Sequence, residues 1–133
     1  MNNADEHAAL RVRVRHRSDA IAAAAMVRAL VQGAGGSSSR ASVVATVTTE
    51  LAQNIVSHAA GNGEVLAWLD GDDIVVRARD WGSGSPVRST GMGQGQASVR
   101  RMMDHVDVRP SPEGGLIVTA RTRICREPSR PCT

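Results

Sequence analysis

RASVVATVTTELAQNIVSHAA, residues 40–60, is the stretch whose reading decides the fold. Val43, Val44, Thr46, Val47, Thr48 and Thr49 are β-branched and suit a strand by propensity alone. Spacing points the other way. Val43, Val47, Leu51 and Ile55 recur every four residues, and the run is far longer than a typical strand, so a helix over 40–60 is predicted, ended by Gly61-Asn62-Gly63. Upstream, residues 10–17 alternate apolar and charged side chains with the period of a half-buried strand. Ser18 then offers an N-cap for a helix over 19–32 that carries Ile21, Met26, Leu30 and Val31 and stops at Gly33. A Gly/Ser-rich loop, 33–39, leads into the long helix.

Downstream, residues 64–69 and 73–79 are Val/Leu/Ile-rich runs around Asp70-Gly71-Asp72 and read as a β-hairpin. A glycine-dense stretch over 80–95 precedes a short helix over 96–104, with Val99, Met102 and Met103 on one side. Residues 105–109 and 116–125 form a second hairpin about a Pro/Gly turn. The order β-α-α-β-β-α-β-β predicts an α+β fold: a two-layer α/β sandwich whose mixed, mostly antiparallel sheet carries its helices on one face. Residues 1–126 are expected to make one domain and 127–133 a flexible tail.

Composition narrows the function. All 16 basic residues are arginine, which removes P-loop NTPases, Schiff-base enzymes and kinases that contact phosphate through a strand lysine. There is no Phe or Tyr, so the core is expected to be aliphatic around Trp68 and Trp81, and modules that stack bases on aromatic platforms are disfavoured. The formal net charge of +3 is not the footprint of a dedicated nucleic-acid binder. The longest strictly apolar run, 20–27, is far short of a membrane span, so the chain is placed in the cytoplasm with no membrane partner. Cys125 and Cys132 lack metal-ligand spacing and read as reduced thiols.

Three clusters carry chemistry. Glu50 and Asn54, four apart on the long helix, stand one above the other on one edge, beside the apolar stripe. A carboxylate there can orient and deprotonate a hydroxyl, and an amide oxygen is a hard neutral ligand suited to Mg²⁺. An ordinary exposed helix rim is the alternative. Asp80-Trp81-Gly82-Ser83-Gly84 follows the end of a hairpin strand, where glycines admit a flat ligand and the carboxylate can accept from an exocyclic amine. A plain tight turn competes with that reading. Arg88-Ser89-Thr90-Gly91-Met92-Gly93-Gln94-Gly95 opens a helix, and its backbone N–H groups with the helix dipole behind them favour phosphate. It lacks the preceding buried strand and following acidic residue of a dinucleotide fingerprint.

Taken in order, Glu-x-x-x-Asn, Asp-x-Gly-x-Gly and Gly-x-Gly-x-Gly resemble the three boxes of the Bergerat-type ATP-binding superfamily of gyrase, ninety-kilodalton chaperones, histidine kinases and mismatch-repair ATPases. The resemblance spans residues 10–124 and implies that superfamily's α/β sandwich. Within it, Glu50-Leu51-Ala52-Gln53-Asn54-Ile55, Ser89-Thr90-Gly91-Met92-Gly93 and Arg100-Arg101-Met102-Met103-Asp104 are similar to the RsbT/RsbW group of bacterial serine kinases and anti-sigma factors, RsbT above all. The resemblance implies an ATP- and Mg²⁺-dependent serine/threonine kinase of a partner-switching module, acting on a STAS-domain antagonist in sigma-factor or stress signalling. Glu50 would be the base, Asn54 would hold Mg²⁺ and contact ATP, and Asp80 would read adenine. Gly82, Gly84, Gly91, Gly93 and Gly95 would shape the pocket, and Arg88 would face the γ-phosphate.

Only residues 85–90 separate the two glycine clusters, shorter than the lid usual in that group. A non-catalytic anti-sigma factor or adaptor, bound to a sigma subunit or to antagonist and phosphatase alike, is therefore the competing reading. A homodimer is a further candidate assembly. His58 reads as a partly buried helix residue, and His16 and His105 lack zinc or triad spacing. Ser83 and Ser85 do not form Gly-x-Ser-x-Gly, so hydrolase chemistry has no support. The Arg11/Arg13/Arg15 and Arg121/Arg123 rows are expected on neighbouring strands sharing a solvated face, with docking to an acidic partner as the minority reading.

Overall fold

The computed structural model of the protein describes residues 7–81, 97–112 and 114–124. Among these residues five strands form one sheet in the order β1-β2-β3-β5-β4, every neighbouring pair antiparallel. They are β1 (Leu10–Val14), β2 (Gly63–Asp70), β3 (Asp73–Asp80), β4 (His105–Pro110) and β5 (Leu116–Arg123). Helices α1 (Arg17–Gly33) and α2 (Ser38–His58) pack on one face, and residues 97–102 form a further helical turn and a half, α3. The α+β sandwich expected from the sequence is present, with its described strands antiparallel throughout rather than mixed.

The ambiguous stretch is a helix, and its threonines show how it tolerates them. The hydroxyls of Thr46, Thr48 and Thr49 donate to the carbonyls four residues back, at 2.9, 2.8 and 3.0 Å, so each is satisfied within the helix by sharing a ladder acceptor. The buried residues are Ala41, Val44, Ala45, Val47, Thr48, Leu51, Ala52 and Ile55; Val43, expected among them, is half-buried. Ser37 caps the start, its Oγ accepting from the Arg40 N–H at 3.0 Å.

Strand β1 ends at Val14, three residues before the expected boundary. The carboxylate of Asp19 accepts from the N–H groups of Arg15 (2.8 Å) and His16 (3.0 Å), turning the chain into α1. The N-cap is therefore His16 rather than Ser18, with Asp19 three residues on as its reciprocal partner. Helix α1 buries Ala20, Ala23, Val27 and Val31, while its larger apolar residues Ile21 and Met26 face solvent. The small side chains sit inward because α1 lies closely against α2 and the sheet.

Sheet residues alternate strictly between two faces. Val65, Ala67, Ile74, Val76, Ala78, Val118 and Ala120 point to the helices and, with α1, α2, Val99 and Met103, form the core. Trp68 and Trp81, expected at its centre, are half-buried on the opposite face, so the core is wholly aliphatic. The two arginine rows share that opposite face, but β2 and β3 lie between β1 and β5, and Arg15 is beyond the strand. Beyond α3, Asp104 accepts from the Arg123 N–H (3.0 Å) and the Thr122 hydroxyl (3.1 Å), which hold its carboxyl below the ordinary range and tie α3 to β5.

Candidate functional site

Glycine at position 63 sets how closely α2 approaches the sheet. A β-carbon there would stand 2.8 Å from Ile55 Cγ2, 2.6 Å from the Arg79 carbonyl oxygen and 3.1 Å from the Asp80 Cα. The last turns of α2 therefore rest directly on the paired ends of β2 and β3, where Gly63 faces Asp80. Asn54 is the residue before Ile55, and Glu50 lies one turn earlier along the same helix edge. Gly61 makes the same helix end possible from the other side. It has φ +73, and a β-carbon would collide with the backbone of Arg15 at the end of β1.

Asn54 and Asp80 differ sharply in how their polar atoms are satisfied. Nδ2 of Asn54 is buried and has no hydrogen-bond partner among the described residues. Such a donor is costly to leave unpaired, about 1–3 kcal/mol, which marks a position where an acceptor from outside the described chain would be stabilising. Asp80 is buried at the end of β3 with its side chain on the helix-facing side of the sheet. Its Oδ1 accepts from the N–H of Leu116 at 3.2 Å. Gly115, at φ +87, packs so tightly on the Asp80 carbonyl and Oδ1 that no side chain fits there. The β4–β5 turn thus fixes the direction of the Asp80 carboxylate.

Glu50 is half-buried and His58, one turn past Asn54, is half-buried as well. Ile55 and Asp80 thus both lie against Gly63, with Asn54 the residue before Ile55 and Glu50 one turn earlier on the same helix. Gly82, Gly84, Arg88, Gly91, Gly93 and Gly95 lie outside the described residues. Sequence reading missed Gly63, Gly115 and the Leu116 N–H, which position the other groups through backbone. Gly114-Gly115 was visible only as a turn signal, and nothing local in Gly63 announces a close helix contact. Among the described residues no group of three His, Cys, Asp or Glu side chains could hold a metal ion, so a cation here would rest on a neutral oxygen such as Asn54 Oδ1 and on ligand oxygens. Among those residues no helix is long and apolar enough to cross a membrane.

No protein-family profile and no curated protein matches the sequence. Among solved structures, the fold matches a chain of the SiaB-SiaC complex from Pseudomonas aeruginosa with a TM-score of 0.62 over 92% of this chain and 94% of that one, at 15% sequence identity. At that identity the likeness establishes a shared architecture: two helices packed on one face of an antiparallel sheet.

Proposed function

We propose that the protein is an ATP- and Mg²⁺-dependent serine/threonine kinase of a bacterial partner-switching module, with a small STAS-domain antagonist as its substrate. The observation that carries this reading is the buried Nδ2 of Asn54, unpartnered among the described residues, on the helix whose next residue, Ile55, packs against Gly63 opposite Asp80. The motif order around it and the architecture shared with a chain of a two-protein complex support the same reading.

The residues fit a Mg²⁺-bound nucleotide. Asn54 offers an oxygen to the cation through Oδ1 and a donor to a phosphate oxygen through Nδ2, which would relieve its unpaired state. Asp80, whose Oδ1 accepts from the Leu116 N–H, would accept from an exocyclic amine such as that of adenine through its carboxylate. Glu50 would orient the partner's serine hydroxyl and accept its proton at the carboxylate. Bound Mg·ATP would supply the transferable phosphoryl group and the charge neutralisation its transfer requires. Gly82, Gly84, Gly91, Gly93 and Gly95 would cradle the nucleotide, and Arg88 would approach its γ-phosphate.

The test is Mg·ATP-dependent labelling of a serine on a STAS-domain protein. Transfer by the wild type, lost in Asn54→Ala and Glu50→Gln with the fold intact, is expected. Unchanged transfer by Asn54→Ala would refute the assignment of that residue, and absence of transfer by the wild type together with stable binding of the antagonist would favour the adaptor.

A further inference from the structure

The sheet face turned away from the helices is neither bare nor simply solvated. Leu66 and Val75 are fully buried on it, although no described helix covers that side. In the register Arg11 and Arg77 stand opposite Leu66, and Trp68 and Arg121 opposite Val75. Three guanidinium groups stand over the indoles. Arg13 is 4.8 Å and Arg79 5.8 Å from the Trp81 ring centre, and Arg77 is 5.4 Å from that of Trp68.

The register gives this face two arginines from β1, two from β3, one from β4 and two from β5, against four carboxylates. Those carboxylates are already engaged: Glu64 with Arg11 and Arg79, Asp70 and Asp73 with Arg121, and Asp107 with Arg109. Seven against four leaves a surplus of three positive charges, equal to the formal charge of the whole chain. Among the described residues, the Arg13 and Arg123 side chains have no carboxylate partner.

We propose that this face docks an acidic surface of a partner protein. Five strands of this length present roughly 500 Å² of sheet before side chains are added, approaching the ~800 Å² each partner contributes to an ordinary protein interface. Tryptophan and arginine held flat over a buried apolar floor are the residue types that dominate such interfaces. A second copy is opposed by three surplus charges on each side. A polynucleotide would lack its stacking platform, because both indoles are already covered by guanidinium.

The full chain can be titrated with poly-L-glutamate, following tryptophan emission, since Trp68 and Trp81 are its only tryptophans and both lie on this face. No nucleotide is needed, so the outcome is independent of the kinase reading. A saturable emission change that weakens with added salt is expected, with affinity roughly tenfold lower when Arg13→Gln and Arg123→Gln are combined. Arg28→Gln on α1, in the opposite layer, should leave it unchanged. Equal weakening by Arg28→Gln, or no emission change in the wild type at low salt, would overturn the proposal. So would tighter binding to oligo-dT or to phosphatidylserine vesicles than to poly-L-glutamate, or a wild-type dimer in sedimentation that Arg13→Gln/Arg123→Gln dissolves. The salt dependence of the wild type decides the matter even where a variant fails to fold.

Discussion

Replacing Asn54 by leucine should stabilise the protein while removing its proposed chemistry. The side chain is half-buried, and its Nδ2 is buried without an acceptor among the described residues. Leucine has nearly the same length and branching, so the exchange removes an unpaired donor without opening a cavity. Relief of an unsatisfied buried amide is about 1–3 kcal/mol, and partial exposure of the rest of the side chain puts the gain at the lower end, about 1 kcal/mol. For a domain of this size that corresponds to a rise in Tm of about 4 °C. Thermal unfolding followed by circular dichroism, without nucleotide, reads this directly. The same variant should neither bind Mg·ATP nor transfer phosphate, a stability gain set against lost function. A fall in Tm of similar size would mean that the amide is satisfied in the free protein, and the argument from its orphaned donor would collapse.

Gly63→Ala should destabilise by about 1–3 kcal/mol, because the added carbon meets Ile55 and the backbone of Arg79 and Asp80. Gly33→Ala, at a helix end with nothing within 4 Å, should instead stabilise by up to about 1 kcal/mol, and urea unfolding of both variants separates close approach from simple glycine flexibility. Gly115→Ala combines a left-handed backbone with a collision against the Asp80 carboxylate, so it should lower affinity for Mg·ATP more than its loss of stability accounts for; calorimetry beside thermal unfolding measures the two. Asp104 has a folded-state pKa below the ordinary 3.8, so it contributes stability at higher pH that is lost as pH falls through the lowered value. Asp104→Asn should flatten that acid limb, and an unchanged slope of stability against pH below 3.8 would contradict it.

Much of this fold was legible because periodicity survives in the sequence. The fourfold spacing of Val47, Leu51 and Ile55 outweighed a run of threonines, and their i−4 hydrogen bonds explain why propensity misled at that point. The alternation in β1 gave its faces correctly and its end wrongly. Asp19 reaches back four residues to stop the strand, a local side-chain contact that strand propensity does not encode. The tryptophans were misplaced for a related reason. Size and apolarity suggest a core, but parity along β2 and the continuation of β3 puts Trp68 and Trp81 with the arginines, and parity outweighs size. Of the candidate site, Glu50, Asn54 and Asp80 could be singled out by residue type and spacing. Gly63 and Gly115 could not, because their importance lies in what a side chain would strike across the fold.

The most direct measurement is calorimetric titration of the full chain with ATP in the presence and absence of Mg²⁺. The account expects saturable heat that requires the cation and disappears in Asn54→Ala. No heat from the wild type at high protein concentration, or identical heat from Asn54→Ala, would contradict the claim that the end of α2 and the end of β3 together hold a metal-bound nucleotide.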